Sequence, residues 1–272
     1  VGQKQEQPMN LRPTKLKIAL LAGLVCAGLV ACLASAEVIQ RDGVRIHFDA
    51  TIAPRALPRQ RQAPLRVSFA VRIAASNGKV PPQLRHVSLA VNRHGHFNLA
   101  GLPVCRIGEI QPATTSAALQ ACRDSLVGNG SFSAKVLLPE QAPFPSSGRI
   151  YAFNGRYQGA PAILAHVYGT QPVPTSFTLA FKMRPTHGTF GTVLTASLPR
   201  VTSKWGYVTG IQISLERRFH SHGKERSYLT GNCPAPPGFP GIPSFSLASG
   251  TYWFTGHREI RLTVPSSCRV QG

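Results

Sequence analysis

Two short histidine pairs, His94-Gly95-His96 and His220-Ser221-His222, are the patterns closest to metal chemistry in this chain. Side chains two apart on a strand share a face, so each pair can offer two imidazoles to one cation. Four imidazoles together would suit copper or zinc. Both pairs fall in stretches that read as turns, where histidine also serves simply as a polar surface residue. The metal reading therefore requires that the two loops meet. The expectation is no cofactor, with copper or zinc as the alternative.

Six cysteines occur. Cys26 and Cys32 belong to an apolar N-terminal run, which leaves Cys105, Cys122, Cys233 and Cys268. Four cysteines allow three pairings, and proximity favours Cys105–Cys122 with Cys233–Cys268. Each bond would contribute about 3–4 kcal/mol by restricting the unfolded chain. No C-x-x-C pair is present, which argues against a structural zinc site built from these cysteines.

Other chemistry is thinly supplied. Ten Asp and Glu serve the whole chain, few for a hydrolase that needs two carboxylates flanking a cleft. No G-x-S-x-G elbow occurs. Tyr252-Trp253-Phe254 and Lys204-Trp205-Gly206-Tyr207 can stack on sugars if exposed, but large aromatics more often fill a core. Arg55, Arg59, Arg61 and Arg66 form the densest basic cluster and are candidates for binding a polyanion; a solvated linker is the competing reading.

Residues 15–36 read KLKIALLAGLVCAGLVACLASA: basic start, apolar run, small-residue end. That is the layout of an export signal. The leading valine reads as a translated non-AUG start, and Met9 would open a compact positive region. Cleavage after Ala36 fits the A-x-A rule and gives a mature start at Glu37. Leu29-Val30-Ala31-Cys32 instead resembles a lipobox, with Cys32 as the lipidated residue. An uncleaved anchor is the third alternative, at the short edge of a membrane span. All three place the bulk of the chain outside a bacterial cytoplasm, either secreted or at the outer face of the cell membrane. Beyond residue 36 there are 26 Lys and Arg against 9 Asp and Glu, a net charge of +17. Such a balance favours anionic envelope polymers or a membrane surface. No specific nucleic acid and no small-molecule substrate emerges, and the oligomeric state is left open.

The elements that must position these residues alternate with period two. Val44, Ile46, Phe48 and Ala50 face one way, and so do Leu65, Val67, Phe69, Val71 and Ile73. The pattern returns at Phe132–Leu138, Phe177–Met183, Ile211–Leu215 and Ile260–Val264. One helix is expected, capped at Thr114-Thr115-Ser116 and running towards Ser125. Turns are expected at Gly128-Asn129-Gly130, at Asn154-Gly155 and around His220 to Lys224. The proline-rich connector at residues 53–64 cannot be a central strand.

The fold expected is all-β, an antiparallel sandwich of Ig-like or jelly-roll-like type with nine to eleven strands and one short helix. Residues 1–36 form the signal or anchor and 37–272 the extracytoplasmic domain, with a sub-boundary near 139–147. The function expected is an exported, disulfide-stabilised, non-catalytic binding or structural protein of the cell envelope. The alternative is an extracellular metal-binding protein or hydrolase using the two H-x-H loops.

Overall fold

A computed structural model describes residues 1–2, 36–111, 113–170, 174–199, 205–239 and 241–271. The chain divides into two compact units, Val1–Ala34 and Ser35–Gly272. Residues 3–35, with Cys32 and nearly all of the stretch expected to direct export, lie outside the described residues. Among those described, no helix is long and apolar enough to cross a membrane.

The first strands are β1 (Ala36–Arg41), β2 (Val44–Ala53), β3 (Ala56–Pro58), β4 (Ala63–Pro64), β5 (Arg66–Ala75), β6 (Leu84–Asn92) and β7 (Gly95–Phe97). Two short helices follow, α1 (Ile107–Ile110) and α2 (Thr115–Cys122). Then come β8 (Leu126–Val136), β9 (Phe144–Tyr157), β10 (Ala160–Gly169), β11 (Thr175–Pro185), β12 (Phe190–Ser197) and β13 (Gly206–Leu215). The chain ends with β14 (Arg218–Ser221), β15 (Lys224–Ser227), β16 (Leu229–Gly231), β17 (Ser244–Phe254), β18 (Arg258–Ser267) and β19 (Arg269–Gln271).

Twelve of these strands form one sheet, ordered β1-β2-β5-β13-β8-β9-β10-β11-β12-β6-β17-β18, with every pairing antiparallel. Strand β18 packs back against β1 and β2, so the sheet curls into a nearly closed barrel. Near closure leaves little unpaired edge. The expected antiparallel pleated layers are present, but they are opposite walls of one sheet rather than two sheets. Of residues 139–147, Phe144 to Ser147 already belong to β9 and pair with β8 within that sheet.

Alternation places the core. Val44, Ile46, Phe48, Ala50 and Ile52 are buried on one face of β2, and Val67, Phe69, Val71 and Ile73 on one face of β5. Ile260, Leu262 and Val264 of β18 join the same interior cluster. Strand β10 is buried on both faces: Ile163, Ala165 and Val167 point into the barrel, while Ala162 and Leu164 pack under α1 and α2. Two-sided burial explains its nearly unbroken apolar run, AILAHV.

The expected helix is α2. Thr114 caps it, its hydroxyl accepting from the Ala117 N–H at 3.2 Å. Two expected turns are strand interior instead. Gly128-Asn129-Gly130 lies within β8 because β13 runs so close that a Cβ on Gly130 would collide with the Gln212 carbonyl oxygen. Asn154-Gly155 lies within β9: Asn154 donates to the Pro103 carbonyl at 2.9 Å, and a Cβ on Gly155 would come within 2.6 Å of Leu164 Cδ1. These two residues seat the Cys105 loop rather than reverse the chain. The β9–β10 reversal falls at Gln158-Gly159, where both φ angles are positive. The turn expected near His220 is present, between β14 and β15, with His222 and Gly223 at φ 52° and 71°.

Candidate functional site

Both expected disulfides are formed. Cys105–Cys122 ties the α1 loop to the end of α2, and Cys233–Cys268 joins the segment after β16 to the one after β18. All four cysteines are buried.

The four histidines are distributed around three places. His94 lies in the turn before β7, its Nδ1 3.2 Å from Asn232 Oδ1. His96, exposed on β7, lines an open cleft of about 780 Å³ beside Asn98, Arg184 and Arg226. His220 is exposed and opposite Glu225 in the β14–β15 register, and His222 occupies the turn. His94 borders a different cleft, with Arg93 and Phe245. Among the described residues, the set of three or more His, Cys, Asp or Glu ligand atoms that gathers is Cys105, Glu109 and Cys122.

That cluster corrects the expectation of no cofactor. The Sγ atoms of Cys105 and Cys122 and a Glu109 carboxylate oxygen all lie within 4.8 Å of one another. Glu109 Oε2 accepts from the Arg106 N–H at 2.7 Å and stands 3.4 Å from Cys122 Sγ. The sulfurs are buried and the Glu109 side chain is exposed, and while bonded to each other the sulfurs are not thiolates. The protein is thus disulfide-bonded and mostly β, with a candidate Cys/Glu metal-binding cluster.

The basic connector is partly tied down. Arg66 forms an ion pair with Glu216. Arg59 donates to the Phe239 carbonyl at 2.7 Å, and the Arg55 carbonyl accepts from Arg269 N–H at 2.8 Å. Arg61 is exposed. On β17, Tyr252 and Phe254 are buried while Trp253 faces outward, its ring 5.0 Å from that of His86 and its Nε1 donating to Glu259 at 3.0 Å.

The feature that alternation could not announce lies inside the barrel. At one end, where β8 and β10 finish and β9, β11 and β13 begin, side chains leave a cavity of about 350 Å³. Phe132, Ala134 and Val136 line it from β8, Ile150 from β9 and Val167 from β10. Phe177, Leu179 and Phe181 line it from β11, and Val208 and Ile211 from β13. Trp205, 38% exposed, stands among the lining residues where β13 begins. None of the described lining residues is charged; Ser146 and Thr175 supply hydroxyls. A concave, mainly apolar space of this size is the usual form of a small-ligand site.

Two buried polar side chains stand apart from the cavity. His166, fully buried on the outer face of β10, donates Nδ1–H to the Ile110 carbonyl at 3.0 Å, and its Nε2 has no partner. Burial pushes its pKa below the ordinary histidine value. Tyr228, buried against Phe97, has its phenol pushed upward by burial. The sequence signal for His166 was a lone polar residue in an otherwise apolar strand. No protein-family model, curated protein or solved structure matches this chain.

Proposed function

We propose that this is an exported ligand-binding protein whose site is the apolar cavity at the end of the barrel. The observation that carries the reading is the 350 Å³ of space left unfilled among Phe132, Ala134, Ile150, Val167 and Phe181. Protein interiors are close-packed, and unfilled apolar volume is costly to maintain. The ligand is uncharged and apolar, or an amphiphile whose charge stays at the mouth, because an unpaired charge among these side chains would be strongly penalised. The reading is of binding, not catalysis.

The apolar N-terminal segment and the two disulfides support export. The net charge of +17 beyond residue 36 supports retention near anionic envelope polymers, with Arg184 and Arg226 at the open cleft as contacts. Calorimetric titration with a medium-chain alkyl alcohol at several temperatures tests the cavity. One-to-one binding with a negative heat-capacity change is expected; no saturable binding at any temperature would count against it.

A second reading, metal binding, is favoured by the Cys105–Glu109–Cys122 cluster. Of the two sequence-derived functions it has the more direct geometric support, although through different residues from the H-x-H loops.

A further inference from the structure

We infer that Cys105, Glu109 and Cys122 form a redox-gated site for a zinc-class divalent cation, closed as a disulfide and opened by reduction. The inference rests on the metal-binding reading and adds the condition under which it operates.

In the disulfide form the two sulfurs are bonded to each other, and neither is the thiolate that a metal requires. A dithiol reductant supplies two electrons and two protons. The S–S bond breaks, the reductant becomes a disulfide, and Cys105 and Cys122 become thiols. Cation binding then releases those two protons and forms two metal–sulfur bonds and one metal–carboxylate bond.

The geometry suits this outcome. With zinc–sulfur bonds of about 2.3 Å and zinc–oxygen bonds of about 2.1 Å, tetrahedral S and O ligands stand about 3.6 Å apart. Cys122 Sγ and Glu109 Oε2 are already 3.4 Å apart. The sulfurs must separate to about 3.8 Å by the same arithmetic. The Cα atoms are 5.5 Å apart, and side-chain rotation supplies that change. The Arg106 N–H holds the carboxylate in place, as outer-shell partners do in metal sites. Three protein ligands leave a fourth position for water. Electrostatics favour the cation: two thiolates beside a carboxylate repel one another, and a divalent ion relieves that repulsion.

The test is titration of the full chain, oxidised and phosphine-reduced, with Co²⁺ as a spectroscopic probe and Zn²⁺ as competitor. Reduced protein is expected to bind one Co²⁺ with sulfur-to-cobalt absorption in the near ultraviolet, while oxidised protein does not. Glu109→Gln keeps the disulfide and is expected to weaken Zn²⁺ binding by about tenfold or more after reduction. Cys105→Ser/Cys122→Ser should abolish the absorption, and Cys233→Ala/Cys268→Ala should retain it. Strand content is followed by circular dichroism, and a signal that appears only as strand content is lost overturns the proposal. Equal binding by oxidised protein, sensitive to Glu109→Gln, overturns the gate but leaves the metal reading standing. Absence of binding in both states overturns both.

Discussion

Replacing Ala134 with leucine tests whether the barrel-end cavity is real space. Ala134 is half-buried on β8, opposite Val208 of β13 and Ser146 of β9, and it lines the cavity. At about 24 cal/mol per Å³ of residual cavity, 350 Å³ corresponds to about 8 kcal/mol of packing not realised. That figure is a ceiling, because the mouth admits water. Leucine adds three carbons, worth about 2.4 kcal/mol at ~0.8 kcal/mol each if fully buried. Ordering its side chain costs about 0.5–1 kcal/mol. The expected net gain is about 1.5 kcal/mol, or a Tm rise of about 3–6 °C for a domain of this size. Urea unfolding and calorimetry measure it. The same substitution should weaken binding of an apolar probe, as expected where function depends on unfilled space. A well-packed site would give the opposite sign, with overpacking costing about 1–3 kcal/mol. Destabilisation of that size would mean that the space beside Ala134 is already filled.

The chain-entropy relation makes the 35-residue Cys233–Cys268 loop worth about 3.8 kcal/mol and the 17-residue Cys105–Cys122 loop about 3.1 kcal/mol. Alanine pairs at each, compared by urea unfolding, should lose stability in that order. The buried, neutral His166 makes stability depend on pH. Its folded pKa lies below 6.5, so on acidification the unfolded chain takes up a proton first. Stability is therefore full above about pH 6.5 and declines as pH falls towards the folded pKa; His86, lowered by burial as well, adds in the same direction. His166→Gln should flatten that decline in urea melts taken from pH 7 downwards. Arg184→Ser/Arg226→Ser should elute from heparin at lower salt, with the logarithmic salt slope reduced by about two; an unchanged slope would remove the cleft as a polyanion contact.

Strands, disulfides and the helix cap were legible because each follows from local or pairwise rules. Val44–Ile52 alternate because one face of β2 is core, and Thr114 precedes a helix whose first N–H groups need an acceptor. Sheet closure was not legible, since alternation is the same on the walls of a sandwich and of a barrel. Asn154-Gly155 reads as a hairpin from its residue types, yet tertiary contacts with Pro103 and Leu164 decide its place inside β9. The cavity was hidden for a similar reason. Phe132, Ala134 and Val136 announce an inward face, but the pattern does not say whether opposing side chains meet across it. Glu109 was missed because the spacing of Cys105, Glu109 and Cys122 matches no compact metal motif; only α1 and the disulfide bring them together.

The chain's two tryptophans allow the most direct test of the barrel as a binding site. Trp205 lines the cavity, whereas Trp253 bonds Glu259 on the outer side of β17. In a Trp253→Phe protein, Trp205 reports alone. Titration with an uncharged apolar fluorescent probe should quench Trp205 by energy transfer, saturating at one probe per chain, and Ala134→Leu should weaken the effect. Quenching that never saturates, or that is indifferent to Ala134→Leu, would contradict the account.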